Sequence, residues 1–367
     1  MHKLAASLLA AAVALGATAC SAPANDPGSD LPLVGISFPN KNDARSAGDG
    51  LLLQEKLTEA GFRVELRWAG DDVPVQYRDL EWMVDNGAQA IVVMPVDARA
   101  YPDVLDRAEE AGIPVVGYQR MPLLSDGLTQ FAAVDAHAEG ALQARTLVEG
   151  LRERGVPQPW DVELFAGDRV EMASKDMLLG ALDELYPLLM DGTVRIPSME
   201  TDFDSLEVAR FDPDFAVKRL ERLSATETAD TELEGVIAPT DAIARALAAH
   251  LEASGSRPPL VVGSGAELES VHMITEGVQY ATTFADTHVL AERTAEMVAE
   301  LASGRDPGLT QTALRDDDGQ PDREDTPEEE LDQHVPALLA TPVALDKDTV
   351  RQAVLDAGLY ESAQLGG

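Results

Sequence analysis

Short apolar runs alternate with longer amphipathic stretches along most of this chain. Residues 33–38 form an apolar run closed by Pro39, which predicts a buried strand, and Leu51, Leu52, Leu57 and Ala60 recur behind it as a helical stripe. The same rhythm continues. Residues 63–68, 90–94, 114–118 and 131–134 read as strands, with helices predicted over 75–86 and 100–111 between them. Gly61, Gly87 and Gly112 each stand just past a predicted helix, where a left-handed cap favours glycine. Strands that are apolar throughout and alternate with helices imply a parallel sheet covered on both faces.

From residue 136 the pattern restarts. A helix over 136–154, the Pro-rich break 156–159 and a strand at 161–165 are followed by helices at 174–185, 213–223 and 241–251 and strands at 193–196, 235–238 and 260–262. Two α/β sets of similar size predict two similar lobes. The strand-like 280–284 and helical 287–301 are expected to return the chain to the first set, giving a first lobe of 33–134 plus 264–303. The second lobe is then 135–263 plus 335–360, its final helix at 347–357 capped by Asp346. Residues 304–334 interrupt the pattern: 316–332 are crowded with Asp and Glu, carry Gly319, Pro321 and Pro327, and have too little apolar content to fold alone. They are expected to form a mobile acidic loop near the hinge. A calcium-binding loop fits poorly, because with Gly319 at its sixth position Leu314 would have to be the first ligand.

Composition then narrows the function. The chain has 367 residues, 45% of them hydrophobic, enough for two ordinary domains. Its 65 acidic and 28 basic residues leave a net charge of -37, which argues against nucleic acid and against docking on anionic lipid. The start of the chain reads as an export signal. His2 and Lys3 precede the apolar run 4–15, too short to span a bilayer, and small residues lead to Cys20, the only cysteine. Cys20 stands where a lipobox cysteine would be cleaved and lipidated, although Ala17 occupies the usual Leu position and simple cleavage after 17–19 is the alternative. Residues 1–20 are therefore expected to be a lipoprotein signal peptide, 21–32 a flexible tether, and the mature protein to sit outside the cytoplasmic membrane on an N-terminal lipid.

Loops at the carboxyl ends of parallel strands present ligand-binding groups in open α/β sheets. Asn40, Lys41, Asn42 and Arg45 are so placed; the alternative is a solvated loop with Arg45 lying over its helix. For catalysis the chain offers no Gly-x-Ser-x-Gly elbow, phosphate-binding glycine loop or His-Glu-x-x-His motif. Its histidines are scattered, and carboxylate pairs are unavoidable in so acidic a chain. No enzyme, metal or cofactor is expected.

Five stretches, 35–41, 44–45, 69–74, 162–167 and 284–287, occur in the order found in type I periplasmic binding proteins, specifically the multiple-monosaccharide-binding receptors of ABC sugar importers. The chain resembles that family from residue 33 to its end. The resemblance implies two Rossmann-like lobes joined by three crossings, one sugar in the cleft, and a monomer that delivers it to a membrane permease. It also implies ligand-binding roles for Lys41, Arg45, Arg120, Asp135 and Asp241. Carboxylates accept from paired hydroxyls and a guanidinium donates in a fork, which suits a sugar or polyol. Departures are visible: Ser46 replaces an aromatic, Gln119 an acid, Ala136 and Ala173 asparagines, Ser264-Gly265 the end of a Gly-Gln-Asp motif and Ala285 a lysine. Asp168, Glu171 and Met172 either rebuild the pocket or lie on its rim. The expected function is thus a solute receptor for an ABC importer, working by population shift to a closed form. The alternatives are a sensory protein presenting its bound form to a membrane receptor, or a binding protein with a diverged, non-sugar ligand.

Overall fold

The computed structural model describes residues 31–42, 44–226, 231–253, 258–315 and 333–366. The expected signal segment with Cys20, residues 21–30 of the tether and the acidic stretch 316–332 lie outside the described residues, as do the side chains of Ala44, Arg45, Leu314, Arg315 and Gln333.

The first α/β set is β1 (Leu33–Phe38), α1 (Ala44–Glu59), β2 (Arg63–Trp68), α2 (Val73–Asp85), β3 (Ala90–Val93), α3 (Pro102–Glu110), β4 (Val115–Tyr118) and β5 (Leu128–Val134). The second opens with α4 (Ala136–Glu153), β6 (Trp160–Leu164), α5 (Met172–Met190), β7 (Val194–Arg195), α6 (Phe203–Leu206), α7 (Pro213–Ala225) and β8 (Gly235–Ile237). It continues through α8 (Asp241–Ala253), β9 (Leu260–Ser264), α9 (Leu268–Glu276) and β10 (Ala281–Phe284). The chain then adds α10 (Thr287–Ala302), β11 (Gln311–Arg315), β12 (Gln333–Ala340), β13 (Val343–Asp346) and α11 (Val350–Asp356).

Two sheets result, ordered β11-β12-β5-β4-β3-β1-β2 and β13-β10-β9-β8-β6-β7. All neighbours are parallel except the edge pairs β11–β12 and β13–β10. This is the two-lobed α/β architecture the alternation predicts. Side-chain alternation along each strand divides the core between two faces. In the first lobe Val34, Ile36, Phe38 and Val92 pack under α1 and α10 against Leu53, Leu57, Leu290 and Val298. Leu33, Ile91 and Val93 pack under α2 and α3 against Leu80, Met83, Val104 and Leu105. The second lobe repeats the plan, with Val162, Leu164 and Val262 under Leu147, Leu178 and Leu185, and Val236 and Val261 under Leu220, Ile243 and Leu247.

Lobe membership differs from the sequence expectation at the returning segments. Strand β10 was expected in the first lobe; it pairs with β9 through Ala281 and Val262, so α9 and β10 belong to the second. Strand β12, expected in the second lobe, pairs with β5 through Ala337 and Phe131 in the first. An apolar run announces a buried strand but not its neighbour, and either sheet could have taken these. Part of the expected acidic loop is also ordered pairing, since 311–315 and 333–334 belong to the antiparallel edge β11–β12. Thr349, not Asp346, takes the N-cap position of the last helix, without a side-chain capping bond, while Asp346 accepts from the N–H groups of Asp348 and Thr349, both at 3.0 Å, in the turn before it.

The chain therefore crosses between sheets at 134–135, 284–287 and 340–343. Two crossings end in an aspartate that caps the next helix. The Asp135 carboxylate accepts from the Ala138 N–H at 2.9 Å, and Asp286 accepts from the N–H groups of His288 and Val289. The Asp135 N–H in turn donates to the Ala340 carbonyl at 3.0 Å, tying the first crossing to the third. Behind the first crossing, α4 and α5 touch backbone to backbone. A Cβ on Gly140 would lie 1.7 Å from the Met177 carbonyl oxygen and one on Gly180 would lie 1.9 Å from that of His137. Only glycine fits at either position without separating the helices. We expect Gly180→Ala to destabilise the protein by about 3 kcal/mol, the upper end for overpacking, because the obstacle is backbone and not a side chain that can turn away. Urea unfolding of the two proteins measures this; equal midpoints would mean that the helices are not locked together there.

Candidate functional site

The residues that reach the interlobe space are aimed by the strand ends behind them. At the end of β4, Tyr118 is fully buried, stacks on Phe38 with centroids 5.4 Å apart and donates from its hydroxyl to Asp49 at 2.9 Å. Burial, with Asp49 beside it, raises the Tyr118 hydroxyl far above the ordinary tyrosine pKa, so it remains a donor. The backbone then passes through Gln119 in a left-handed conformation (φ 58°), a region few residues other than glycine adopt, and turns Arg120 toward the second lobe. Gln76 braces the adjoining strand end by donating to the Met94 carbonyl and accepting from the Val96 N–H. Gln143 does the corresponding work in the second lobe, donating at 2.9 Å to the carbonyls of both Ala238 and Gly263.

Arg120 meets Glu171, the residue that starts α5, in a two-pronged ion pair. Its Nε and Nη2 donate to the two carboxylate oxygens at 3.1 and 2.5 Å, while Nη1 donates to the Pro95 carbonyl at 2.7 Å. Both side chains are about one-third exposed, at 32% and 28%. The pair joins the lobes, and a cavity of about 460 Å³ lies beside it. Its lining mixes apolar groups, among them Phe131, Ala133, Met172, Ala313 and Leu339, with the polar side chains of Gln119, Arg120, Asp135, His137, Glu139, Glu171 and Asp176. A larger cavity of about 740 Å³ shares Arg120, Glu171 and Met172 and adds Arg99, Arg169 and Lys175. Glu139 is held from below, accepting from the Ser264 and Thr283 hydroxyls at 2.7 and 2.8 Å.

Gln119, Arg120, Asp135 and Met172 are thus brought together, as the sequence suggests. Lys41 is exposed on the loop after β1 and lines neither cavity, and the Arg45 side chain lies outside the described residues. Asp168 shapes its own loop, accepting from the backbone N–H groups of Val170 and Arg210, and does not face the cavity. Asp241 is fully buried behind the second-lobe strand ends, where it accepts from Gln279 Nε2 and the Glu267 N–H, each at 2.9 Å. A Cβ on Gly263 would lie 2.3 Å from its Oδ1, so the carboxylate packs against bare backbone. Glu139 and Asp176 were not singled out from the sequence. Glu139 sits on the first turn of α4 and Asp176 just after the first turn of α5, and the signal for their role is tertiary: the glycine contact that sets the starts of those helices side by side. Among the described residues no group of His, Cys, Asp or Glu could hold a metal ion, and no helix is long and apolar enough to cross a membrane.

The model of the periplasmic binding protein domain matches residues 34–306. The chain belongs to the periplasmic binding protein family. Among its relatives, the multiple sugar-binding periplasmic receptor ChvE of Rhizobium radiobacter is 31% identical over 97% of this chain and 98% of that protein. The multiple sugar-binding periplasmic protein SbpA of Azospirillum brasilense is 30% identical over 91% of each. A solved ABC transporter solute-binding protein of Clostridium phytofermentans, with β-D-glucose bound, superposes with a TM-score of 0.75 at 27% identity, covering 91% of this chain and 99% of that one. The fold is that of the type I periplasmic binding proteins, and the two sheets, three crossings and interlobe cavity described above are its parts.

Burial raises the pKa of Asp241 despite the hydrogen bonds it accepts. The folded protein therefore holds this proton to higher pH than the unfolded chain does. Its contribution to stability is complete below the ordinary aspartate range and is lost as pH rises from there through the higher folded value. We expect Asp241→Asn to gain stability relative to the parent as pH rises through that window, and denaturant midpoints of both proteins at a series of pH values measure it. A difference independent of pH would contradict a raised pKa.

Proposed function

We propose that this protein is the extracytoplasmic solute receptor of an ABC importer and binds one monosaccharide or related polyol in the interlobe cavity. The observation that carries the reading is the cavity itself, walled by both lobes of a periplasmic binding protein. It combines apolar groups suited to the C–H face of a sugar ring with a guanidinium, an amide and several carboxylates suited to its hydroxyls. A ligand touching both walls favours the closed arrangement, and a permease that recognises that arrangement takes the solute from it. Nothing in this scheme requires a catalytic step, a cofactor or a second copy of the chain. Cys20 at the exit of the apolar leader supports attachment by an N-terminal lipid. The description of the Rhizobium radiobacter relative as a receptor supports a second reading, in which the closed form is presented to a membrane sensor.

Two experiments test this. Calorimetry with D-glucose, D-galactose, D-xylose and myo-inositol should find at least one saturable ligand, and Arg120→Ala should weaken it about tenfold or more, the expected loss for a hydrogen bond to a charged group. No binding by any of the four, or undiminished binding by the variant, would count against the cavity as a sugar site. In a bacterial host, Cys20→Ser should move the protein from the membrane fraction to the soluble extracytoplasmic fraction; continued membrane association would remove the lipid anchor from the proposal.

A further inference from the structure

We propose that Glu171 sets the charge selectivity of the interlobe site, reserving Arg120 so that neutral and cationic polyols are accepted and anionic ones refused. This rests on the sugar reading above. A sugar acid needs a cation for its carboxylate, and Arg120 is the arginine of the smaller cavity, which no lysine lines. Its guanidinium already faces a carboxylate in the fork geometry that a uronate would use, and its remaining edge is turned to the Pro95 carbonyl. The N–H groups left over can serve a hydroxyl, but the charge is matched. Helix N-termini would be the other attraction for an anion. That of α4 is taken by Asp135, whose carboxylate accepts from the Ala138 N–H; that of α5 carries Glu171 at its N-cap position, which makes no capping bond but opposes an approaching anion by its charge. An entering carboxylate would also meet Glu139 and Asp176, with His137 as the one further basic side chain in the lining. Arg99, Arg169 and Lys175 line the larger neighbouring cavity only, and Arg169 is itself paired with Glu207 and Asp204.

Glu171 also suits this role by its freedom from any other duty. It starts α5 without a side-chain capping bond, so its carboxylate is available to turn across the cleft, and its removal costs the helix no cap. The selectivity is therefore separable from the fold.

The test uses D-glucose, D-glucosamine and D-glucuronate, and the matching galacto set, which keep one ring and change only its charge. They are titrated at low ionic strength into the full-length protein and into Glu171→Gln. In the parent the uronate should bind about tenfold or more weaker than the neutral sugar, and the amino sugar at least as tightly, as expected where like charges meet in a site and unlike charges complement. In Glu171→Gln the ratio of uronate to neutral-sugar affinity should rise about tenfold or more, whatever happens to the neutral sugar itself. Salt gives a second readout on the unmodified protein: raising it should narrow the gap between uronate and neutral sugar. A uronate that matches the neutral sugar in the parent, or a deficit unchanged by Glu171→Gln, overturns the role of Glu171 and leaves the sugar reading standing. Binding of none of the six sugars, nor of D-xylose or myo-inositol, would overturn the sugar reading, and this proposal with it.

Discussion

The Asp135 N–H, donated to the Ala340 carbonyl at 3.0 Å, is the interaction on which the site depends. It fastens the first crossing between the sheets to the third, at the point where β5 becomes α4. The same residue caps α4 with its carboxylate, so the direction in which the first lobe hands over to the second is fixed by one side chain and its own backbone. Everything that reaches the cavity from the second lobe is then placed by how α5 lies against α4. Gly140 and Gly180 decide that by letting carbonyl and Cα meet where a methyl group would not fit. His137 and Glu139 on one helix and Glu171, Met172 and Asp176 at the start of the other are consequently held as a single wall.

The opposing wall is fixed by other means. Tyr118, Phe38 and Asp49 lock the end of β4 in a buried stack, and the left-handed turn at Gln119 spends conformational energy to bring Arg120 out of the sheet toward Glu171. Gln76 and Gln143 perform the same task in their respective lobes, each spanning strand ends with one amide. The walls meet through an ion pair about one-third exposed on each side and through Met172, which packs against the edge of the first-lobe core, and such contacts hold more weakly than packed cores. A rigid wall on each side with a modest bond between them is what a cleft that opens and closes requires.

Much of this was legible in the sequence because periodicity reports local structure directly. The apolar centres of β1, β3 and β4, the helix of α4 from residue 136 and the glycines after α1, α2 and α3 follow from spacing alone. Pairing partners did not follow: 280–284 and 335–340 read as extended by pattern, yet only tertiary context assigns one to each sheet. The site divided along the same line. Arg120 and Asp135 sit where strand ends must open into the cleft, so the family pattern located them. Asp168 and Asp241 carry equally suggestive carboxylates, but backbone N–H groups and, for Asp241, the Gln279 amide absorb them. Glu139 and Asp176 had no motif to mark them, because what brings them to the cavity is a helix contact made by glycines elsewhere.

If both lobes grip one sugar at this cavity, hydrogen exchange read by mass spectrometry, with and without the tightest-binding neutral sugar at saturation, should report it on both sides at once. Slowed exchange is expected in 119–121 and 131–136 together with 170–176, since amides in a closing cleft lose their openings on both walls together. Slowing confined to one lobe, or located away from these segments, would contradict it.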